Sequence, residues 1–536
     1  MPKTATPLSK ILNLVKLERK EITAVYFYAI LNGLIQLSLP LGVQAIIGFV
    51  MGASMRASLI VLIALVVTGV LIAGILQINQ MKIIEKIQQK LFVRYSFAFA
   101  THIPKLDLKK NDKFYLPELV NRFFDIPILQ KSLSKILLDI PTASIQIVFG
   151  LALLAFYHPA FIFFGIFLIT LLWLIIRYSR NRGLQTSLDE STYKYKVAGW
   201  LEESARVIKS IKLAKSNDLH LQKTDEEVTG YLHARNSHFK ILLLQYHVLV
   251  LFKTVITAAM LIVGTILLVN QQLNIGQFIA AEIIILLVLN SVEKLIMNLG
   301  TVYDTLTSIE KISSLTDKPA EENGSVQLAP ADQGLQVEMQ QLSFSYNDEK
   351  EILIDVSLKL NSGDKVCIQG KDSSGKSTLL RLMAGAYTDF KGALLLDDVP
   401  VGNYNLDSVR SQIGVLLNQQ DIFNGTVWEN IALGNEHISR QAVNDIAVKV
   451  GLTDFISTLK KGYDTLLDPA GKRLPRNVIH KILLTRALAA KPRLLLLEDP
   501  WMSTEDSYRQ QIIQMLNDIA NTTIVVVSND EEFTKQ

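Results

Sequence analysis

Hydrophobic residues in the first 300 positions gather into six runs, each long enough to cross a bilayer as a helix of about 20 apolar residues. They pair as Ala24–Val50 with Ser58–Asn79, Leu137–Phe156 with Phe161–Ile176, and Ile241–Val269 with Ile275–Leu299. Short turns join each pair, at Met51–Ala57, at His158 and Pro159, and at Asn270–Asn274. Arg56 is the only Lys or Arg in these turns, whereas Lys82–Lys135 and Arg177–Lys240 are rich in both. The positive-inside rule then predicts the short turns outside, with the basic segments and both termini in the cytoplasm. Met81–Arg94 and Val197–Lys215 read as helical too, so the membrane helices are expected to run well past the bilayer. Lys253 and Glu282 lie inside the fifth and sixth runs, where an unpaired charge is expensive. Both are expected to face the bundle interior, as a path lining, or else to be a structural pair or snorkelling ends.

Beyond Leu299 the pattern changes. Thr316–Gly334 is polar and carries Pro319, Asn323, Gly324 and Pro330, a linker composition. After it, apolar strands alternate with amphipathic helical stretches, as in an α/β fold. Composition agrees with a membrane half and a soluble half: the chain has 536 residues, 49% of them hydrophobic, and a mean hydropathy of +0.28. A net charge of +4 is too small at this size to imply nucleic-acid binding. Cys367 is the one cysteine, so no disulfide forms within the chain. Met1–Lys20 lacks the apolar core and cleavage site of a signal peptide, so membrane entry through the first run is expected.

The strand-like run Lys365–Gln369 leads into Gly370-Lys371-Asp372-Ser373-Ser374-Gly375-Lys376-Ser377, and the helical Thr378–Ala386 follows. This is GxxxxGK[ST] between a strand and a helix, the context in which the motif forms an anion cradle. Gly370, Ser373, Ser374, Gly375, Lys376, Ser377 and Thr378 are thus candidate phosphate-binding residues, with Lys376 reaching the terminal phosphates and Ser377 ligating Mg²⁺. The predicted fold is an all-α six-helix transmembrane bundle over residues 1–315, a linker over 316–334, and an α/β P-loop nucleotide-binding domain over 335–536.

Further landmarks in the right order make the chain resemble a type I ABC exporter half-transporter. They are Phe344-Ser345-Tyr346, the stretch Ile422–Ile431, Gly462–Thr465, Thr485–Leu488, and Leu494–Leu497 followed by Glu498-Asp499-Pro500. The resemblance implies ATP and Mg²⁺ as ligands, Tyr346 as the residue stacking on adenine, and a second half-transporter as partner, identical or not. It also implies a multi-pass protein of the plasma (inner) membrane with a cytoplasmic nucleotide-binding domain, moving a substrate that the residues do not name. Phe114–Phe124 and Trp200–Lys209 are expected to couple the two domains.

Catalytic positions depart from the family pattern. Asn418 replaces the Q-loop glutamine, with Gln419 and Gln420 beside it, and Leu474-Pro475-Arg476-Asn477-Val478 stands where LSGGQ belongs. Glu498 and Asp499 reverse the Asp-Glu pair, so Glu498 takes the Mg²⁺-shell position and Asp499 the water-polarising one. Asn529 stands in place of the switch histidine, and the domain reads as short at its C-terminus against the pattern. ATP binding with weak hydrolysis is expected, in an exporter subunit or, alternatively, in a regulatory pseudo-ATPase subunit.

Overall fold

The computed structural model describes residues 6–52, 56–214, 218–346, 350–418, 421–501 and 506–529. The chain divides into two compact units, one of Met1–Pro104 with Phe114–Lys318, the other of Lys105–Lys113 with Pro319–Gln536.

The first unit is helical: α1 (Pro7–Leu17), α2 (Arg19–Gln36), α3 (Ser38–Met51), α4 (Arg56–His102), α5 (Leu116–Val120), α6 (Asp125–Tyr157), α7 (Ala160–Arg206), α8 (Ile208–Leu213), α9 (Leu219–Val269) and α10 (Ile275–Thr316). Among the described residues six helical spans are apolar and long enough to cross a membrane, the first made of α2 and α3 together. Hydropathy alone places the spans but not their length. The 47 residues of α4 measure about 70 Å at 1.5 Å per residue, more than twice a hydrocarbon core of ~30 Å. Exposed Ile60, Val61, Leu65 and Val67 on α4 suit contact with lipid. Leu154 of α6, Leu168 of α7, Leu249 of α9 and Ile284 and Val288 of α10 form the buried core. Gly150 lets α6 approach α10 closely, since a Cβ there would lie 2.6 Å from Val288 Cγ2.

Two prolines show how the unit handles lost backbone donors. Pro40 has no N–H for the Gln36 carbonyl, and the first span breaks there, α2 ending at Gln36 and α3 starting at Ser38. Pro141 removes the donor to the Leu137 carbonyl, yet α6 runs through it unbroken. The buried Gln80 of α4 donates its Nε2 to that carbonyl at 3.4 Å, replacing the missing bond from a neighbouring helix. The last hairpin closes on a capping box, in which Asn274 Oδ1 accepts from Gln277 N at 2.7 Å and Gln277 Oε1 accepts from Asn274 N at 3.0 Å. Lys253 pairs with Glu293 at 2.5 Å, so its partner is Glu293 and not Glu282. Buried Asp125 accepts from Tyr195 Oη at 2.7 Å and Lys194 Nζ at 3.0 Å, tying α6 to α7.

The second unit holds β1 (Val337–Phe344), β2 (Leu353–Leu360), β3 (Lys365–Ile368), α11 (Lys376–Met383), β4 (Lys391–Leu396), β5 (Val399–Pro400), α12 (Leu406–Arg410), β6 (Ile413–Leu416), α13 (Val427–Ala432), α14 (Arg440–Lys449), α15 (Thr453–Thr458), α16 (Arg476–Ala489), β7 (Leu494–Glu498), α17 (Asp506–Asp518) and β8 (Thr523–Val527). An antiparallel sheet of order β2-β1-β4-β5 stands beside a parallel sheet of order β3-β8-β7-β6. Strands β7 and β8 are buried at every position, which explains their unbroken Leu and Val runs.

Residues 319–334 are packed on this unit. Gly324 N donates to Tyr404 O at 2.9 Å, Leu328 is buried, and Glu321 makes a bidentate pair with Arg410 at 2.7 Å for both bonds. Segment Lys105–Lys113 joins them, with Asp107 N donating to Pro319 O at 3.1 Å and Lys109 Nζ 2.9 Å from Asp389 Oδ2. The stretch grouped with the second unit thus lies just before the expected Phe114–Phe124, while Trp200–Lys209 stays with the helical unit.

Gln80→Leu leaves the Leu137 carbonyl unpaired and should lower the stability of the helical unit by about 1–3 kcal/mol. Adding Pro141→Ala restores a backbone N–H to the same carbonyl and should recover most of that loss, as a double-mutant cycle of thermal midpoints in detergent will read. Independent, additive effects would contradict the bond.

Candidate functional site

Parallel α/β sheets place ligands beyond the carboxyl ends of their strands, and the loop after β3 lies there. Gly375 sits at φ +90°, and a Cβ on it would meet Leu353 Cδ2 at 2.8 Å and Ile352 O at 3.2 Å, so the loop needs glycine at this point. Ser373 is also left-handed, at φ +63°, where an L side chain is strained. Lys376 opens α11 and folds its ammonium back onto the loop, donating to Gly370 O at 2.5 Å and Lys371 O at 2.8 Å.

Ser377 Oγ donates to Glu498 Oε1 at 2.6 Å, and Glu498 Oε2 accepts from Asn418 N at 3.0 Å. The extra methylene of glutamate lets the buried carboxylate at the end of β7 reach α11 and the turn after β6 together. Ser377 spends its proton on Glu498, which leaves its lone pairs free, and each carboxylate oxygen retains acceptor capacity. The donor set therefore suits a hard, oxygen-ligated cation such as Mg²⁺. Asp499 follows at φ +44° with its N–H on Val527 O at 2.9 Å. Asn529 accepts from Gly370 N at 3.4 Å, so it stands against the first glycine of the loop.

Tyr346 is anchored more firmly than its position in the sequence indicates. Its hydroxyl lies 2.9 Å from Thr378 Oγ1 and accepts from Arg381 Nη1 at 3.0 Å, and its ring packs edge-on against Phe344 and Tyr387. Burial raises the Tyr387 phenol above its usual range, so that ring stays neutral. One cleft is lined by Tyr346, Ser373 to Thr378, Asn418, Glu498, Asp499 and Asn529. It brings together every candidate site residue except Gly370, which touches Asn529 and Lys376 instead. Asp372 and Arg381 also line it and escape a motif reading. Arg381 was detectable only as the residue four after Ser377, on the same helix face.

Gln419 and Gln420 lie outside the described residues. Leu474-Pro475-Arg476-Asn477-Val478 forms the start of α16, where Pro475 is the N-cap without a side-chain hydrogen bond. Leu474 and Val478 pack into the core, while Pro475 and Arg476 are exposed. Farther along α16, the His480 ring contacts Pro500 O at 3.0 Å, and burial holds it below the ordinary imidazole range.

With this geometry the comparisons with known proteins are consistent. The family model for the ABC transporter transmembrane region matches residues 22–292, and that for the ABC transporter matches residues 353–502. The chain belongs to the ABC transporter family. It is 29% identical over 330 residues to the cyclolysin secretion/processing ATP-binding protein CyaB of Bordetella pertussis, covering 61% of this chain and 46% of that protein. It is 25% identical over 336 residues to the alpha-hemolysin translocation ATP-binding protein HlyB of Escherichia coli O157:H7, covering 62% and 47%. The chain thus spans about half the length of these secretion relatives. An ATP-dependent lipid A-core flippase of Desulfotalea psychrophila is 22% identical over 463 residues, 85% of this chain and 80% of that protein. The fold matches the solved structure of a bacterial Atm1-family ABC exporter with ATP bound, with a TM-score of 0.83 at 17% identity over 96% of this chain and 92% of that one.

Ser373→Gly should raise the thermal midpoint of the nucleotide-binding unit, relieving ~1 kcal/mol of left-handed strain less the added entropy of the unfolded glycine. Ser373→Val should lower it, and a reversed order in calorimetry would refute the strain. His480 yields a pH dependence. Its folded-state value is depressed, so the unfolded chain takes up the proton first as pH falls through ~6.5, and stability drops from there downward. A thermal-midpoint profile between pH 7.5 and 5 should flatten in His480→Gln.

Proposed function

We propose that this chain is one half of an ATP-driven exporter. It works as a dimer with a second half-transporter in the plasma (inner) membrane, with its termini and nucleotide-binding unit cytoplasmic. The observation that carries this reading is the convergence of Lys376, Ser377, Glu498 and Asn418 in one cleft, in a polypeptide that also carries six membrane spans. Density of Lys and Arg in Lys82–Lys135 and Arg177–Lys240 supports the orientation. The relatives are named for secretion and lipid flipping, and the similarities give no support to a purely regulatory pseudo-ATPase subunit.

In this reading Lys376 exchanges the Gly370 and Lys371 carbonyls for phosphate oxygens, while Ser373, Ser374 and Gly375 supply backbone N–H groups around them. Thr378 supports the phosphates from the first turn of α11, and Tyr346, held by Thr378 and Arg381, is the platform for adenine. Ser377 and Glu498 would hold Mg²⁺, which would supply charge neutralisation when bound. Asp499 polarises the attacking water, Asn418 orients it, and Asn529 contacts the γ-phosphate with a neutral amide. Asp499 is one methylene shorter than glutamate, and a shift near 1 Å costs ~10²-fold where positioning supplies the catalysis. Turnover is accordingly slow, and the start of α16, with Pro475 and Arg476 and no glycine, weakens the γ-phosphate contact offered to the opposite subunit.

Lys376→Ala should abolish ATP binding in an equilibrium titration of the purified chain, and unchanged affinity would sink the nucleotide site. Wild-type turnover should fall below the ordinary enzyme range of ~1 to 10³ s⁻¹. The triple variant Glu498→Asp, Asp499→Glu, Asn529→His should raise it only modestly while the start of α16 stays altered, because groups that act together in a transition state are not additive. Wild-type turnover within that range would refute the argument.

A further inference from the structure

A chain of polar side chains crosses the middle of the helical unit. Ser291 of α10 donates to Gln146 Oε1 at 2.8 Å, Gln146 Nε2 donates to Gln36 Oε1, and Gln36 Nε2 donates to Asn32 Oδ1 at 3.1 Å. Gln146 lies eleven residues inside the end of α6 at Tyr157, about 17 Å along the helix, so the network sits well within a ~30 Å hydrocarbon core. It meets the break between α2 and α3 that Pro40 creates. Beside the break is a cleft of about 360 Å³ whose polar lining is Gln36, Ser38 and Gln77 and whose walls include Ile35, Gly74 and Leu287. The Ser38 hydroxyl packs toward Gly69 of α4 and is closed off from the open volume. The amide groups of Gln36 and Gln77, at membrane depth beside an open volume, are the polar groups a ligand there can reach.

The lining also selects the ligand. No Asp, Glu, Lys, Arg or His borders this cleft. Of the charges within the spans, Lys253 pairs with Glu293 and Asp139 accepts from Asn298 Nδ2 at 3.1 Å, and neither these nor Glu282 lines the cleft. A charged headgroup entering the cleft would lose its hydration without gaining a counter-ion, a penalty of several kcal/mol. An amide or hydroxyl would instead find donors and acceptors in Gln36 and Gln77, while Ile35 and Leu287 take an apolar body. Resting on the exporter reading above, we infer that the cleft at the α2–α3 break is a binding site for an uncharged amphiphile carrying amide or hydroxyl groups, and that such molecules are the class this chain moves.

The test uses the full chain in phosphatidylcholine nanodiscs and three diazirine-bearing dodecyl probes of equal length: a primary amide, a carboxylate and a trimethylammonium. After photolysis, adducts of the amide should map to residues 35–39 and 70–77, about tenfold above either charged probe, and excess unlabelled dodecanamide should compete them away. Gly74→Leu fills the cleft from a position where a Cβ meets nothing within 4 Å, so the variant should fold as wild type by thermal midpoint and lose amide labelling at least about tenfold. Gln77→Leu should lower labelling about two- to tenfold, the loss of one hydrogen bond. Equal labelling by all three probes would mark a groove for lipid tails and overturn the site. So would adducts elsewhere, or wild-type labelling in a folded Gly74→Leu. Amide labelling of the wild-type chain that ATP fails to change would support the site while overturning the exporter reading. ATP-driven transport without labelling here would do the reverse.

Discussion

A backbone N–H or C=O carried into hydrocarbon without a partner costs several kcal/mol, and nearly every feature of the helical unit answers that penalty. Uninterrupted helices such as α4, α7 and α9 satisfy it internally over their whole length. Pro141 is tolerated because Gln80 on another helix supplies the missing donor. At Pro40 the helix breaks instead, and the break is surrounded by Asn32, Gln36 and Ser38, side chains able to hydrogen-bond. The two prolines differ in what their neighbours offer, and the outcome is a continuous rod in one case and a polar recess in the other.

In the nucleotide-binding unit water is at hand, and the controlling requirement is the placement of charge. Buried β7 and β8 are apolar up to their carboxyl ends, where Glu498 is the first polar group to emerge. Its carboxylate is held by Ser377 and Asn418 and links the end of one strand, the start of α11 and the turn after β6. That triangle sets the floor of the cleft. Lys376 closes its mouth on the carbonyls of Gly370 and Lys371, so the glycine-rich loop is held in shape by its own lysine.

Much of this was legible in the residues. The six runs located the spans, because about 20 consecutive apolar side chains have no better use than a bilayer. The loop Gly370–Ser377 announced itself by glycine, lysine and serine at fixed spacing between a strand and a helix. Other features were hidden. Glu293, missed because it follows ten uncharged residues, Ile283–Val292, with Lys294 next to it, proved to be the partner of Lys253 where Glu282 had drawn attention. Pro, Asn and Gly in 316–334 signalled a linker, yet from Pro319 onward that stretch is docked by backbone bonds to Asp107 and Tyr404 and by the Glu321–Arg410 pair.

The order of residues determined by itself which segments are helical rods, where the glycine-rich loop before α11 turns, and that the chain joins a membrane half to a nucleotide-binding half. Periodicity, hydropathy and motif spacing are local properties, readable within a few turns of chain. Only the tertiary structure decided which polar groups meet: Gln80 with Leu137, Ser291 with Gln146 and Gln36, Glu498 with Ser377 and Asn418. Those partners lie from 57 to 145 residues apart in the first unit and 80 or 121 apart in the second. A hydrogen bond acts over about 3 Å and is indifferent to sequence separation, so its partners become visible only when the chain has packed.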